Sequence, residues 1–574
     1  MNIFELKSIK LKTNFTEFFL SLLIFLYPFL FIWQCGDLTD TGFFALNYQN
    51  FFENLQIGKT NSITFLTDFL GATWFRLFPT FGIVGLKFLY LIFLYLILFF
   101  TYLILKIHTK KRTLLLLGIL CAVVFSERFS MFIFSRDIAS WFFLIISSYL
   151  IIIGLNRQKF LFIYFSGVFF ALACLCRFPN IVLIVILPLM FFYINFYGYK
   201  YITRLNFLIF FKEYFIFLIG FLSVAAFFWG LLKYYFLTQT FLLNLDFLGT
   251  QNKTSYSSIS LMKSYIYDLV IFIPHVLIVS SLILTTSLIF NYSKITKKIS
   301  PIVVCIILLF CLAFLIYRGF SYSSNLKYLI PALCFLPLLF SLIKKDKFSN
   351  VVIVMLTMSL TQVAGTNTGL FLKLCYGFIV LLPLSIVIIG EQKKIVFENI
   401  LINTRPILIY AVYIILFFCI LARIGWIYHV DSGLSCRLKA IYPINNNLMK
   451  GIFTTQKNAT HIKELCNSIK SNIKEENTLF IFGHEPMFYY LTKHQPPVKK
   501  FWLTNNLVQI DELFLSINES IKLTGKWPMI VDTKQKIMGD IGEKKLAEFL
   551  KDNNYIRIEN KYDFSIWNKM PKRI

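Results

Sequence analysis

The chain has 574 residues, 57% of them hydrophobic and only 15% charged, with a formal net charge of +27 and a mean hydropathy of +0.70. That composition is more apolar than a water-soluble fold of this length tolerates. It also argues against a nucleic-acid partner, because the basic residues lie between apolar blocks and the 67 phenylalanines sit mainly inside them, with no basic helix interleaved with base-stacking aromatics.

The apolar blocks recur at roughly 17–25 residues, the length that crosses the hydrocarbon core of a bilayer. The first, Phe15–Trp33, follows Lys7, Lys10 and Lys12, is too long for a signal-peptide core and lacks a small-residue cleavage site, so it is expected to be a retained span. Further spans are expected at 83–105, 113–126, 137–155, 160–176, 180–197, 214–236, 265–290, 301–317, 328–343, 350–364, 369–389 and 406–424, about thirteen in all. With the N-terminus in the cytoplasm, the clusters Lys106/Lys110/Lys111/Arg112, Lys294/Lys297/Lys298, Lys344/Lys345/Lys347 and Lys393/Lys394/Arg405 all fall on the cytoplasmic side. An odd number of spans then leaves the tail outside.

From about residue 445 charges and amides become frequent, and the tail reads as a small α/β domain. Strands are expected at Thr478–Gly483, Lys500–Leu503 and Pro528–Asp532, and helices around Asn458–Ile469, Glu485–Thr492, Asp511–Ile521 and Glu543–Lys551. The fold class is therefore mainly α: a polytopic helical membrane bundle over 1–424, with a loop at 34–82 carrying the chemistry, and a C-terminal extracytoplasmic α/β domain over 425–574. Most of the eleven cysteines fall in or beside spans and read as buried thiols; one bridge among Cys35, Cys436 and Cys466 would be compatible with their outer placement.

The loop after the first span runs Gln34-Cys-Gly-Asp37-Leu-Thr-Asp40-Thr-Gly42 and places two carboxylates at the membrane face. An acid there can take a proton from an acceptor hydroxyl or hold a divalent cation, and Gly42 lets the backbone approach a bulky head group. The competing reading is that Asp37 or Asp40 caps the helix expected over Phe43–Glu53, with Asp40 at its start. The second outer loop carries Glu127, Arg128, Arg136 and Asp137. Ionisable groups bordering lipid either pair with one another or line a polar cavity, where a carboxylate could join a cation site and an arginine fork could hold a phosphate. Arg177, Lys327 and Tyr328 add further outer-face candidates, with snorkelling to ordinary head groups as the alternative for the cations. In the tail, Glu485 and Pro486 stand at the expected start of a helix, and His484 with Glu485 lacks the remaining ligands of a metal site.

With these residues in view, the chain resembles the C-type glycosyltransferases, the group that includes protein O-mannosyltransferases and the aminoarabinose transferase of lipid A, and most of all their bacterial relatives. Asp40-Thr-Gly42-Phe with Tyr48-Gln49, then Phe69-Leu-Gly-Ala-Thr-Trp74 and Leu77-Phe-Pro79, look like that group's first periplasmic loop. Arg177-Phe-Pro179 resembles its Arg-Pro turn after the fifth span, and Leu326-Lys327-Tyr328-Leu-Ile-Pro331 its Arg-Tyr-x-x-Pro segment with Lys for Arg. The resemblance implies an enzyme of the bacterial plasma membrane that takes a sugar from a polyprenyl-phosphate carrier and gives it to a lipid, glycan or protein acceptor on the outer face. It implies Asp40 as general base or metal partner, with Asp37 as second choice, and a phosphate held among Arg128, Arg136, Arg177 and Lys327. Many relatives have Asp-Glu where this chain has Asp40-Thr41, which leaves the divalent cation open, its candidate ligands being Asp37, Asp40, Glu127 and Asp137. Two other classes share parts of this pattern: a surface-polysaccharide polymerase or ligase, which would carry a long outer loop between spans, and a transporter or flippase, which would show paired halves with broken helices.

Overall fold

Each apolar block that can be followed is helical, as it must be where no water is present to satisfy backbone N–H and C=O groups. The computed structural model describes residues 15–34, 36–52, 63–126, 133–196, 204–239, 241–242, 262–274, 276, 324–363, 375–391, 395–397, 400–402, 437–473, 478–498, 501, 503, 510–535 and 539–569. Its membrane part comprises α1 (Phe15–Phe29), α2 (Asp40–Asn50), α3 (Phe65–Leu77), α4 (Gly82–His108), α5 (Arg112–Ser126), α6 (Arg136–Arg157), α7 (Phe160–Cys176), α8 (Leu187–Phe196), α9 (Arg204–Tyr234), α10 (Ser324–Lys344), α11 (Ser349–Leu360) and α12 (Cys375–Glu391). Three helices, Gly82–His108, Arg136–Arg157 and Asn206–Tyr234, are each long and apolar enough to cross a bilayer, and six shorter apolar helices accompany them.

Several expectations change here. About thirteen spans is more than the described residues carry, and the blocks at 301–317 and 406–424, with most of 265–290, lie outside them. The block at 180–197 is broken: a 3-10 segment Phe178–Val185 meets α8 at 40°. Pro188 has no N–H to continue the preceding turn and its ring would strike the carbonyl four residues back, so the break falls just before it. A short hairpin, β1 (Ile395–Phe397) with β2 (Ile400–Ile402), follows α12 and was not expected.

Helices pack closely where side chains are small. A Cβ on Gly167 would stand 2.0 Å from the Phe217 carbonyl oxygen, and one on Gly220 would stand 2.0 Å from that of Tyr164, so these glycines set the approach of α7 to α9. The Ser147 and Ser166 hydroxyls, 2.8 Å apart, join α6 to α7. The basic loops gather at one end of the bundle: Lys111 and Lys347 lie 3.5 and 3.4 Å from Glu391, and Arg112 lies 3.6 Å from Glu17. The 34–82 loop, the start of α6 and the end of α7 form the opposite end, tied by Tyr48 donating to the Phe134 carbonyl and Thr67 to that of Cys176.

The C-terminal region contains β3 (Tyr442–Pro443), β4 (Phe453–Thr454), α13 (Gln456–Asn472), β5 (Leu479–Phe482), α14 (Met487–Thr492), α15 (Ile510–Thr524), β6 (Met529–Asp532), α16 (Gly539–Asp552), β7 (Tyr555–Asn560) and β8 (Ser565–Lys569). Its sheet has the order β5-β6-β8-β7, with β5 parallel to β6 and the other pairs antiparallel. Leu479-Phe-Ile-Phe482 is apolar throughout because both faces are covered: Leu479 and Ile481 join the core shared with the bundle, while Phe480 and Phe482 join a second core with α15 and α16. Of the strand expected at Lys500–Leu503, Phe501 and Leu503 are outside any strand, and Lys500 and Trp502 lie outside the described residues. The β7–β8 hairpin was missed because β7 is an edge strand whose Arg557 and Glu559 interrupt the apolar pattern.

This region is joined to the bundle by specific bonds. Phe453 N–H donates to the Trp33 carbonyl (2.7 Å) and Met487 N–H to that of Leu38 (3.1 Å). Asn50 and Gln495 exchange amide hydrogen bonds of 3.1 and 3.0 Å. The buried Lys87 of α4 donates to the Gln34 carbonyl at 2.8 Å, fixing the end of the first span.

Candidate active site

The chain leaves the first span through Gly36 and turns into α2. Asp37 is buried and makes that turn: one carboxylate oxygen accepts from the Thr39 N–H (3.0 Å) and hydroxyl (2.8 Å), the other from the Thr41 N–H (2.7 Å). Asp37 therefore supplies the cap, and α2 begins at Asp40, three residues earlier than the expected Phe43. As a base Asp37 is a poor candidate, since its lone pairs already hold three donors. Asp40 is the first residue of α2, half-buried, where an ionised carboxylate is favoured by the helix dipole.

Gly42 does not face a ligand. A Cβ there would lie 2.2 Å from the Met487 nitrogen, so the glycine exists to let the start of α14 press against α2. The same turn holds Glu485, which accepts from Gln535 at 2.7 Å and bonds His461 at 3.1 Å, while Gln535 accepts the His484 N–H at 2.8 Å. Burial works against a charged His461 ring, but the Glu485 hydrogen bond and charge, with Asp563 behind them, raise its pKa overall.

A residue absent from the sequence reading completes this end. Asp68 of α3 is buried, accepts from the Thr64 hydroxyl at 3.0 Å, and is pushed up to about 8 by that burial, against the opposing effects of Thr64 and the Arg136 charge. Tyr48 is buried beside it, and its phenol is pushed up by burial and by Asp68. The available signal was an acid set directly before the Phe69–Trp74 motif in a largely apolar stretch of α3.

The second loop is divided. Asp137 is not paired with Arg136; its partner is Arg177, 3.2 Å away. The buried Arg177 also donates to Asn180 (3.1 Å) and to the Thr361 carbonyl (2.9 Å), and Asn180 donates to Ser140 (2.6 Å). Arg177 and Asp137 thus lock α6, α7 and α11 together, and neither is offered to a phosphate. Arg136 differs. It is half-buried in the first turn of α6, where the dipole disfavours a cation, and it makes no hydrogen bond or ion pair with any described residue. Glu127 and Arg128 lie outside the described residues; Lys327 and Tyr328 fall in the first turn of α10, with their side chains outside the described set.

Of the four candidate cation ligands, Asp37 is filled by donors and Asp137 is paired with Arg177, Asp40 stands at the start of α2, and Glu127 lies outside the described residues. Among the described residues no group of three or more His, Cys, Asp or Glu converges. Cys466 is a buried free thiol; Cys35 and Cys436 lie outside the described residues.

Two solved structures are similar to the chain over nearly its whole length. Both are of ArnT from Cupriavidus metallidurans, one in the apo state and one bound to undecaprenyl phosphate. Identity is 9% in each; 96% of this chain is covered, with 96% and 97% of theirs, at TM-scores of 0.43 and 0.46. Neither structure decides which residues of this chain act. No family model and no curated protein matches the chain.

Proposed function

We propose that the chain is a membrane glycosyltransferase that moves a sugar from a polyprenyl-phosphate carrier to a hydroxyl or amine of a lipid, glycan or protein acceptor. The reading places the acid-bearing end and the C-terminal domain outside the cytoplasm, as the separation of the basic loops to the other end supports. The observation that carries it is Arg136: a half-buried guanidinium with no partner among the described residues, set at a positive helix end beside Arg177. A cation so placed is unfavourable until an anion arrives, and a lipid phosphate at head-group depth is such an anion.

Asp68 supports the assignment through its protonation. An ionised carboxylate would neutralise Arg136, whereas a carboxyl whose pKa is about 8 leaves the full positive charge available near pH 7. In the reaction, Asp40 takes the acceptor's proton as its oxygen or nitrogen attacks the anomeric carbon. The carbon–oxygen bond to phosphate breaks, and the carrier phosphate departs as an anion held by Arg136 without needing a proton. Attack opposite the leaving phosphate inverts the anomeric centre.

The test is transfer of radiolabelled sugar from a polyprenyl-phosphate donor by purified protein in vesicles. Asp40→Asn should lower the rate by about 10²–10⁴, the usual contribution of one positioned base, with insertion and melting unchanged. Near-normal turnover by that variant would remove Asp40 from the mechanism. Donor turnover absent from the parent protein with every acceptor class would overturn the enzyme reading, leaving the transporter alternative.

A further inference from the structure

We infer that the segment from Leu438 to Phe453 rests on the outer leaflet of the bilayer and that a lipid surface is its partner. The segment begins the C-terminal domain and straddles the points where the first two spans end. Phe453 bonds the Trp33 carbonyl, a Cβ on Gly451 would stand 3.7 Å from the Val84 side chain, and Gly82, at φ +51°, would place a Cβ 2.2 Å from the Leu448 oxygen. This height is an aromatic belt, with Trp33 edge-on to Phe29 and Phe88 at 5.9 and 5.8 Å.

On that base the segment turns apolar side chains outward: Leu438 is 71% exposed and Ile441 63%, with Tyr442 exposed beside them. Exposed apolar residues also stand beside the span ends that this segment meets, Leu30 at 64% three residues before Trp33 and Phe81 at 51% directly before Gly82. Lys439 and Lys450 are exposed among them, the pattern in which an apolar side chain enters the acyl boundary while ammonium groups meet lipid phosphates. The sequence adds that the last apolar block, 406–424, ends only a short stretch before Leu438, which keeps this segment close to the membrane.

Its consequence is positional. The segment holds the soluble domain at a fixed height, so that α14 bears on α2 at head-group depth. The inference stands whatever reaction the chain performs.

The test uses the full chain carrying an encoded environment-sensitive fluorescent amino acid in place of Ile441, reconstituted one copy per nanodisc of phosphatidylethanolamine and phosphatidylglycerol. The same residue in place of Leu523, 87% exposed on α15 across the sheet from the bundle, serves as the reference, and Leu438 gives an independent second site. Nitroxide-bearing lipids should quench the probe at 441 and 438 several-fold more than at 523, with aqueous iodide showing the reverse order. Iodide quenching at 441 and 438 equal to that at 523 would overturn the inference. So would protection of both sites from both quenchers, which would mean that protein covers them.

Discussion

Replacing Asp68 by Asn separates two effects that meet at one buried carboxyl. Asp68 ordinarily would titrate at 3.8, and burial moves it to about 8 in the folded chain. The folded state thus binds a proton that the unfolded chain has released over that window, so stability contributed by the proton is complete below the ordinary value and declines as pH rises to about 8. At about 1.4 kcal/mol per unit, the loss by pH 7 is about 4 kcal/mol, an upper figure for the gain on substitution. Asn keeps the shape, can still accept from Thr64, and carries no charge at any pH. Thermal unfolding in detergent micelles from pH 5 to pH 9 should show a falling melting temperature for the parent protein and a flatter, higher curve for Asp68→Asn. In the same series the parent's KM for donor should rise above about pH 8, as ionised Asp68 neutralises Arg136, while that of the variant stays level. Parallel melting curves for both proteins would refute the claim that Asp68 is held protonated, and an unchanged KM profile would refute its link to Arg136.

Arg136→Gln should weaken donor binding about tenfold to hundredfold, the value of losing a charge-assisted contact of about 1.5–3 kcal/mol, with little change in melting because no described residue depends on it. Arg177→Gln should instead lower the melting temperature sharply by stranding the buried Asp137, and a stable, active variant would remove Arg177 from the structural lock. Gly42→Ala should cost about 1–3 kcal/mol and depress transfer, since its methyl would drive α14 from α2; unchanged activity and limited proteolysis would show that this contact is dispensable. The raised His461 pKa means that its ion pair with Glu485 stabilises the docked turn below about pH 6.5 and is lost as pH rises through the shifted value. His461→Asn should remove that pH dependence from melting, and an unaltered profile would exclude the pair as its source.

The membrane class was legible in the sequence because it depends on a local quantity. A run of apolar residues near the thickness of a bilayer has one way to satisfy its backbone, so Gly82–His108 and Arg136–Arg157 follow from block length alone. The strand cores at Leu479–Phe482 and Met529–Val531 were equally local, being unbroken apolar runs bounded by turns. The charged residues were not, because a charge is defined by what it meets. Asp37 and Asp40 stand three residues apart in one loop, yet only the folded turn commits the first to backbone N–H groups and leaves the second at a helix start. Arg136 and Asp137 are adjacent, but they lie on different sides of α6, so Asp137 meets Arg177 from another helix and Arg136 meets none of the described residues. Asp68 left only its place before the Phe69–Trp74 motif as a signal, since its raised pKa comes from burial that the folded packing alone creates. Composition and periodicity therefore decided which solvent the chain folds in. Tertiary packing decided which charges are consumed in holding it together, because burial and pairing are relations between segments far apart in sequence.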